Sequence, residues 1–269
     1  DLAIECLAHQ SLALEFAGRA GLARQARARL QARIDAGTDP LSETTGLWFI
    51  AFQHLLRGDL DALGAVEVRA MAGIEGRDAL SGTGPHRVVR GWHGVMTARD
   101  DDERDRALAL CGDGARIYAG HGARSGMPVM HRLHAEALIR CRRLDEANEA
   151  LLTAARLCDT IDERGSRAEH FRVEAALRVA GREDAVRIRA CYDAALAAAR
   201  DEASPLLELR VLVDLVRWSH GRAGDGDGAT PTHAAHDARA ALATLLERLE
   251  PDPTLPLAAA ARALLSGAN

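Results

Sequence analysis

The sequence predicts an all-α chain, an α-solenoid in which helix hairpins stack into a right-handed superhelix, and three observations carry that expectation. The first is composition: 48% of the 269 residues are hydrophobic but only 3% are aromatic, and Ala, Leu and Arg dominate. These are strong helix formers, whereas a large antiparallel sheet needs more Val, Ile, Thr and Tyr. The second is periodicity, clearest between Met127 and Leu157, where small and apolar residues recur at helical spacing on both sides of Cys141-Arg142-Arg143. The third is repetition: a turn followed by a second helix starts near Leu22, Leu60, Arg104, Leu144 and Asp184, in steps of roughly 40 residues, which is the range of helical repeats. A stacked array buries each hairpin against its neighbours, so no single core has to grow with chain length.

Each element follows from local signals. Asp1 to Phe16 is an apolar run broken at Gly18, and Leu22 to Ile34 is its partner with an Arg-rich face, stopped by Gly37 to Pro40. Leu47, Trp48, Ile50, Ala51, Leu55 and Leu56 form the next core stripe, and Gly58-Asp59 turns into Leu60 to Met71. Gly73 to Pro85 reads as a joint, either a hinge or a loop between repeats, with the third hairpin opening at Pro85. The run Asp100 to Glu103 suits a helix N-terminus, where the macrodipole favours carboxylates, better than a metal. Pro128 fits a first helical turn. Ala135, Leu138, Ala147, Leu151 and Ala154 fit the tetratricopeptide alternation of small and large residues on paired helices. Ser166 and Glu169 make a capping-box pattern, and Gly181 closes that helix. A partner helix follows from about Asp184, and Ser204-Pro205 opens another. Residues 221–233 read as a flexible insertion, Ala234 to Leu249 as the returning helix, and Leu255 to Leu265 as a terminal cap. The expected organisation is one helical-repeat domain over residues 1–269, of about six hairpins plus the cap.

The formal charge of −5 argues against a nucleic-acid surface. There is no Lys, so all 34 basic side chains are Arg, and clustered guanidinium groups favour bidentate contacts with anions. The five Cys are far apart without a C-x-x-C pair, which points to reduced thiols and a cytoplasmic protein. No secretory signal or bilayer-length apolar run is evident. Because the chain begins at Asp1, it reads as a piece of a longer protein.

Several stretches together resemble a known family region. They are Leu12-Ala13-Leu14 with the break at Gly18, Phe52 to Gly58, Gly91-Trp92, Ala135-Glu136-Ala137, Leu144 to Ala147, Glu163-Arg164-Gly165 with Ala168, Glu169 and Arg172, and Leu207-Glu208-Leu209-Arg210. In this order and spacing the chain resembles the C-terminal tetratricopeptide-like region of bacterial "predicted ATPase" signalling proteins, some of which carry a class III adenylate cyclase domain and others a winged-helix regulator domain. The resemblance implies a sensor or docking region that controls catalytic or DNA-binding domains N-terminal to it. Without Lys the chain holds no Walker A motif, so none of that chemistry transfers to its residues. His131 and His134 stand where the family has leucines, and Phe171 where it has His.

No nucleophile–base pair or Gly-x-Ser-x-Gly elbow is recognisable, so the expectation is a non-enzymatic chain with no cofactor and no catalytic residue. His131 and His134 share a face at i and i+3 with Cys141 nearby, but a zinc site needs about four ligands, and packing or groove lining explains them better. Asp225 and Asp227 lack the rest of a calcium loop. The candidate site is instead a concave groove. Arg132, Glu136 and Arg140 share a face by i, i+4, i+8 spacing, with His131 and His134 beside them and Arg90, Arg167 and Arg172 from neighbouring repeats. Such a groove suits a peptide or protein domain with acidic groups, or a small anionic effector. No nucleic-acid or membrane contact is expected, and a homodimer is an open alternative. An all-helical enzyme and a structural oligomerisation array also stay open.

Overall fold

Gly, Pro and N-capping Asp residues punctuate an Ala/Leu/Arg-rich chain, and the helices fall between them. A computed structural model describes residues 1–74, 80–122, 124–161, 167–224 and 233–267, and all regular structure among them is helical. The helices are α1 (Leu2–Phe16), α2 (Ala20–Asp35), α3 (Pro40–Arg57), α4 (Leu60–Ile74), α5 (Leu80–Thr97), α6 (Asp101–Gly120), α7 (Met127–Arg140), α8 (Leu144–Ile161), α9 (Arg167–Ala180), α10 (Ala185–Asp201), α11 (Pro205–Gly224), α12 (His233–Arg248) and α13 (Pro256–Ser266).

Their starts follow local chemistry. Asp39 caps α3 through a 2.9 Å bond from the Ser42 N–H, with Pro40 in the first turn. At α6 the cap is reciprocal: Asp100 accepts from the Glu103 N–H, and Glu103 accepts from the Arg99 N–H. The acidic run is therefore a helix start, and among the described residues no group of His, Cys, Asp or Glu could hold a metal ion.

Two expectations need correction. The third hairpin begins at Leu80, not Pro85, because the proline ring already holds a helical φ and only one N–H is lost; residues 75–79 of the expected joint lie outside the described residues. Helix α11 runs on to Gly224, so residues 221–224 belong to a helix, not to the expected insertion. Residues 225–232, including Asp225 and Asp227, lie outside the described residues, as does Ser166 of the expected capping box. The Glu169 carboxylate bonds the buried side chains of Arg172 and Arg210.

The helix-ending turns are near copies of one another. Gly18, Gly58, Arg142, Arg182 and Ala203 all take positive φ, at 68°, 71°, 61°, 56° and 48°. In each turn the next residue's N–H reaches back five residues, as Arg19 does to Leu14, Asp59 to His54, Arg143 to Leu138, Glu183 to Arg178 and Ser204 to Ala199. This is the Schellman arrangement, which satisfies the last carbonyls of a helix. Gly181 directly follows the last residue of α9, as expected, and the left-handed position falls one residue later, on Arg182.

Each odd-numbered helix packs on its hairpin partner and on the next odd-numbered helix, from α1 through α3, α5, α7 and α9 to α11. Polar bonds join that row at a near-constant sequence step. Gln53 to Ser11, Arg57 to Glu15, His86 to the Thr44 carbonyl and Arg172 to Asp214 are each 42 residues apart; Arg210 to Glu169 spans 41 and Trp92 to Glu136 spans 44. Within the third hairpin the backbones touch closely: a Cβ on Gly91 would lie 2.4 Å from the Cys111 nitrogen, so α5 and α6 meet only because glycine stands there.

The row also turns back on its own start. Helix α11 contacts α1 and α3. Arg57, 2% exposed, bonds Glu15 at 2.7 Å, Asp252 at 2.9 Å and the Thr254 carbonyl at 2.8 Å. Glu250 accepts from the Gly21 N–H. Helix α13 buries Ala258, Ala261 and Leu264 against α11 and α12, as a cap would. Cys6, Cys111, Cys141, Cys158 and Cys191 form no disulfide, and among the described residues no helix is long and apolar enough to cross a membrane.

A non-glycine residue held at left-handed φ costs about 1 kcal/mol. Arg182→Gly is therefore expected to raise stability by about 0.5–1 kcal/mol, whereas Arg182→Ala leaves it unchanged or lower; chemical denaturation of the three proteins checks this.

Candidate ligand-binding cavity

Three of the predicted groove residues, Arg132, Glu136 and Arg172, converge, and the helix row decides how. Arg132 and Glu136 are one turn apart on α7, and the adjacent α9 brings Glu169 and Arg172 against them. One Arg172 guanidinium meets three carboxylates: Glu169 at 2.9 Å, Glu136 at 2.8 Å and Asp214 at 2.8 Å. Arg210 of α11 reaches Glu169 at 2.8 Å and the Leu56 carbonyl, near the end of α3, at 2.9 Å. Burial works against the Arg172 charge, but Glu136, Glu169 and Asp214 outweigh it and raise its pKa well above the ordinary value. Burial also disfavours the Glu169 carboxylate, yet Arg172 and Arg210 hold it far below the carboxylate range. At Arg132 the balance reverses: burial dominates and pulls its pKa down.

Above this cluster lie two adjoining cavities. One, about 310 Å³, is walled by Phe16, Trp48, Phe49 and Phe52, with Arg132 and Glu169 also in its lining. The other, about 390 Å³, is lined by Thr44, Trp48, Phe49, His86 and Tyr118 among others. His9, Trp48, Phe49, Ser125 and Gly126 belong to both. Five of the chain's nine aromatic residues, Phe16, Trp48, Phe49, Phe52 and Tyr118, therefore line this one region. Trp48 stacks on Phe52 at 5.4 Å and meets Phe49 edge-on at 5.0 Å, geometries that fix aromatic rings. The Trp48 indole N–H is buried with no acceptor.

The remaining predicted groove residues do not join this site. Arg140 and Arg167 are exposed, and Arg90 is half-buried on α5. His131 and His134 look toward α8, into an open depression of about 660 Å³ shared with Asp145, Glu146 and Glu149. Burial lowers the pKa of both, so they are neutral near pH 7. The α7 face thus divides, with Arg132 and Glu136 turned to the inner cluster and the two histidines to the hairpin partner. Sequence reasoning passed over the aromatic wall as core. The available signal was three aromatics within Trp48 to Phe52 of so aromatic-poor a chain.

His86 and Glu67 form a second buried pair at the wall of the larger cavity. His86 Nδ1 lies 3.0 Å from Glu67 Oε1, and Nε2 lies 3.0 Å from the Thr44 carbonyl oxygen. With an oxygen facing each nitrogen, the protonated ring can donate from both at once. Burial opposes that charge, but the bond and charge of Glu67 outweigh it and raise the His86 pKa above 6.5.

No protein-family model matches this sequence, and no curated protein matches it.

Because the folded pKa of His86 exceeds its unfolded value, the pair's stabilisation is complete below pH 6.5 and is lost as pH rises through the raised folded value. Thermal unfolding across pH 5 to 9 is expected to show that decline in the wild type. Glu67→Gln should cost about 3 kcal/mol at low pH, as for a broken buried pair, and flatten the decline; an equally steep decline in the variant would refute the pairing.

Proposed function

We propose that this chain is a non-enzymatic effector-binding domain, a tetratricopeptide-like α-solenoid with a right-handed superhelix. In this reading its inner face holds a small molecule and reports occupancy to an attached signalling ATPase, cyclase or transcription regulator. The observation that carries the reading is the gathering of five of nine aromatics around two adjoining cavities beside a buried charge cluster. Concave, mostly apolar pockets with a few placed polar groups are the usual form of small-molecule sites. The near-constant step of about 42 residues between bonded inner helices supports the repeat architecture.

A small effector fits better than an extended peptide. Leu207 and Arg210 of α11 pack toward α3 and α1 and narrow the inner face to a chamber. The chamber draws its lining from α1, α3, α7, α9 and α11 together. A ligand there contacts helices far apart in sequence, and a differential affinity for two arrangements of them is what a sensor requires. The linkage to a cyclase, ATPase or winged-helix partner rests on the sequence resemblance alone.

Screening the intact chain against small metabolites by thermal shift tests this. A binder at one hundred times its Kd stabilises by about 2.7 kcal/mol, and Ser125→Trp, which fills the mouth from an exposed loop position, should abolish the gain. A gain unchanged in Ser125→Trp, or chemical turnover of the bound compound, would overturn the reading.

A further inference from the structure

Besides the Tyr118 phenol, four ionisable side chains line the two adjoining cavities: His9, His86, Arg132 and Glu169. The three buried ones already face counter-charges. His86 Nδ1 lies 3.0 Å from Glu67 Oε1. The two oxygens of Glu169 accept four hydrogen bonds, two from Arg172 and two from Arg210, which fills the roughly four lone-pair sites of a carboxylate. Arg132 is attracted by Glu169, Glu136 and Glu202. Arg132, Arg172 and Arg210 are thus matched by Glu136, Glu169, Asp214 and Glu202. His9, the fourth, is exposed to solvent, and its ring meets Phe49 at 4.7 Å. An ion entering the buried part would lose its hydration with no unpaired charge to replace it.

The rest of the lining is apolar or bears hydroxyls. Phe16, Phe52 and Leu207 belong to the smaller cavity, and Pro85, Tyr118 and Met130 to the larger. Trp48 and Phe49 belong to both, so the two spaces share an aromatic wall. Thr45 and Ser125 bring hydroxyls to the larger cavity, and a hydroxyl donates or accepts without carrying charge.

We infer that the two cavities form one site for an uncharged, two-armed aromatic molecule. One arm lies against Phe16 and Phe52, the other against Tyr118 and Met130, and the junction on Trp48 and Phe49. The assignment rests on the effector-binding reading above and names the ligand class. The volumes of about 310 and 390 Å³ each sit at the low end of small-molecule pockets, about 300–1,000 Å³. Each therefore suits one ring system, and the pair suits a ligand with two. Flat π-bodies gain from stacked or edge-on contact with an aromatic wall. Trp48, Phe49 and Phe52 already hold one another in such contacts, so little ordering is needed when a ligand enters.

Fluorescence titration of the intact chain with N-phenyl-1-naphthylamine tests this, because that probe is uncharged at neutral pH and joins two aromatic arms. Three relatives separate charge from shape. 8-Anilino-1-naphthalenesulfonate keeps both arms and adds a negative charge, N-(1-naphthyl)ethylenediamine carries an ammonium group, and 1-naphthylamine has a single arm. One equivalent of N-phenyl-1-naphthylamine is expected to bind, at least about tenfold tighter than each of the other three. Ser125→Trp, with helicity checked by circular dichroism, should abolish that binding. If the variant does not fold, the order of the four probes on the wild type still decides. A charged probe binding as tightly as the neutral one would overturn the inference. So would a one-armed probe of equal affinity, neutral-probe binding that survives Ser125→Trp, or no binding of the neutral probe. If the metabolite screen meanwhile yields a charged ligand whose binding Ser125→Trp abolishes, the effector-binding reading stands and only the uncharged class falls.

Discussion

Glu169 is the point on which the inner face depends. It is 3% exposed and carries four hydrogen bonds from two guanidinium groups on different helices. Moving charged groups out of water costs several kcal/mol each even after relaxation, and that cost is offset only where the lone pairs and donors are matched. Here they are matched on the carboxylate. Arg210 extends the network to the Leu55 and Leu56 carbonyls at 3.2 and 2.9 Å. These lie in the last turn of α3, where carbonyls lack intrahelical donors and the macrodipole is negative. A charge cluster between α9 and α11 thereby fixes where α3 ends relative to both.

Helix α3 is consequently held at three places. Its first half presents Thr44 to His86 and, a turn later, Trp48 and Phe49 to the cavities. Its end receives Arg210 and gives Arg57 to Glu15, Asp252 and Thr254. A ligand against Trp48 would press on the one helix that touches both charge networks and the returning C-terminal segment. Packed interiors shift between discrete arrangements and do not deform smoothly, so this placement suits the sensor role proposed for the chain.

The helices were legible in the sequence because their signals are local. Leu60 and Leu144 begin second helices as their Asp-containing turns imply, and Asp184 caps α10 with a bond to the Val186 N–H. Boundaries failed where local chemistry permits two outcomes. Pro85 can open a helix or sit in its first turns; Gly181 does follow the end of α9, but the sequence does not say whether it or Arg182 takes positive φ. The site was legible only in part, for a different reason. Helical spacing placed Arg132 and Glu136 on one face and Arg172 near them. It could not reveal that Arg210 and Asp214, from α11, would meet the same cluster. Nor could it reveal that Arg57 would find an acid 195 residues away. Return of the chain on its start is a tertiary outcome that periodicity does not encode, and it brings α11 against α1 and α3 beside the cavities.

The absence of Lys acquires a physical consequence at these clusters, whatever its origin. Arg172 uses Nε, Nη1 and Nη2 to reach Glu169, Asp214 and Glu136 on three helices. Arg57 spans Glu15 through Nη1 and Asp252 with Thr254 through Nη2. A lysine ammonium is a compact, strongly hydrated point charge with its donors on one atom. It could not bridge partners on opposite sides of a plane, and its larger hydration would make burial costlier. The inner row is thus written for guanidinium geometry.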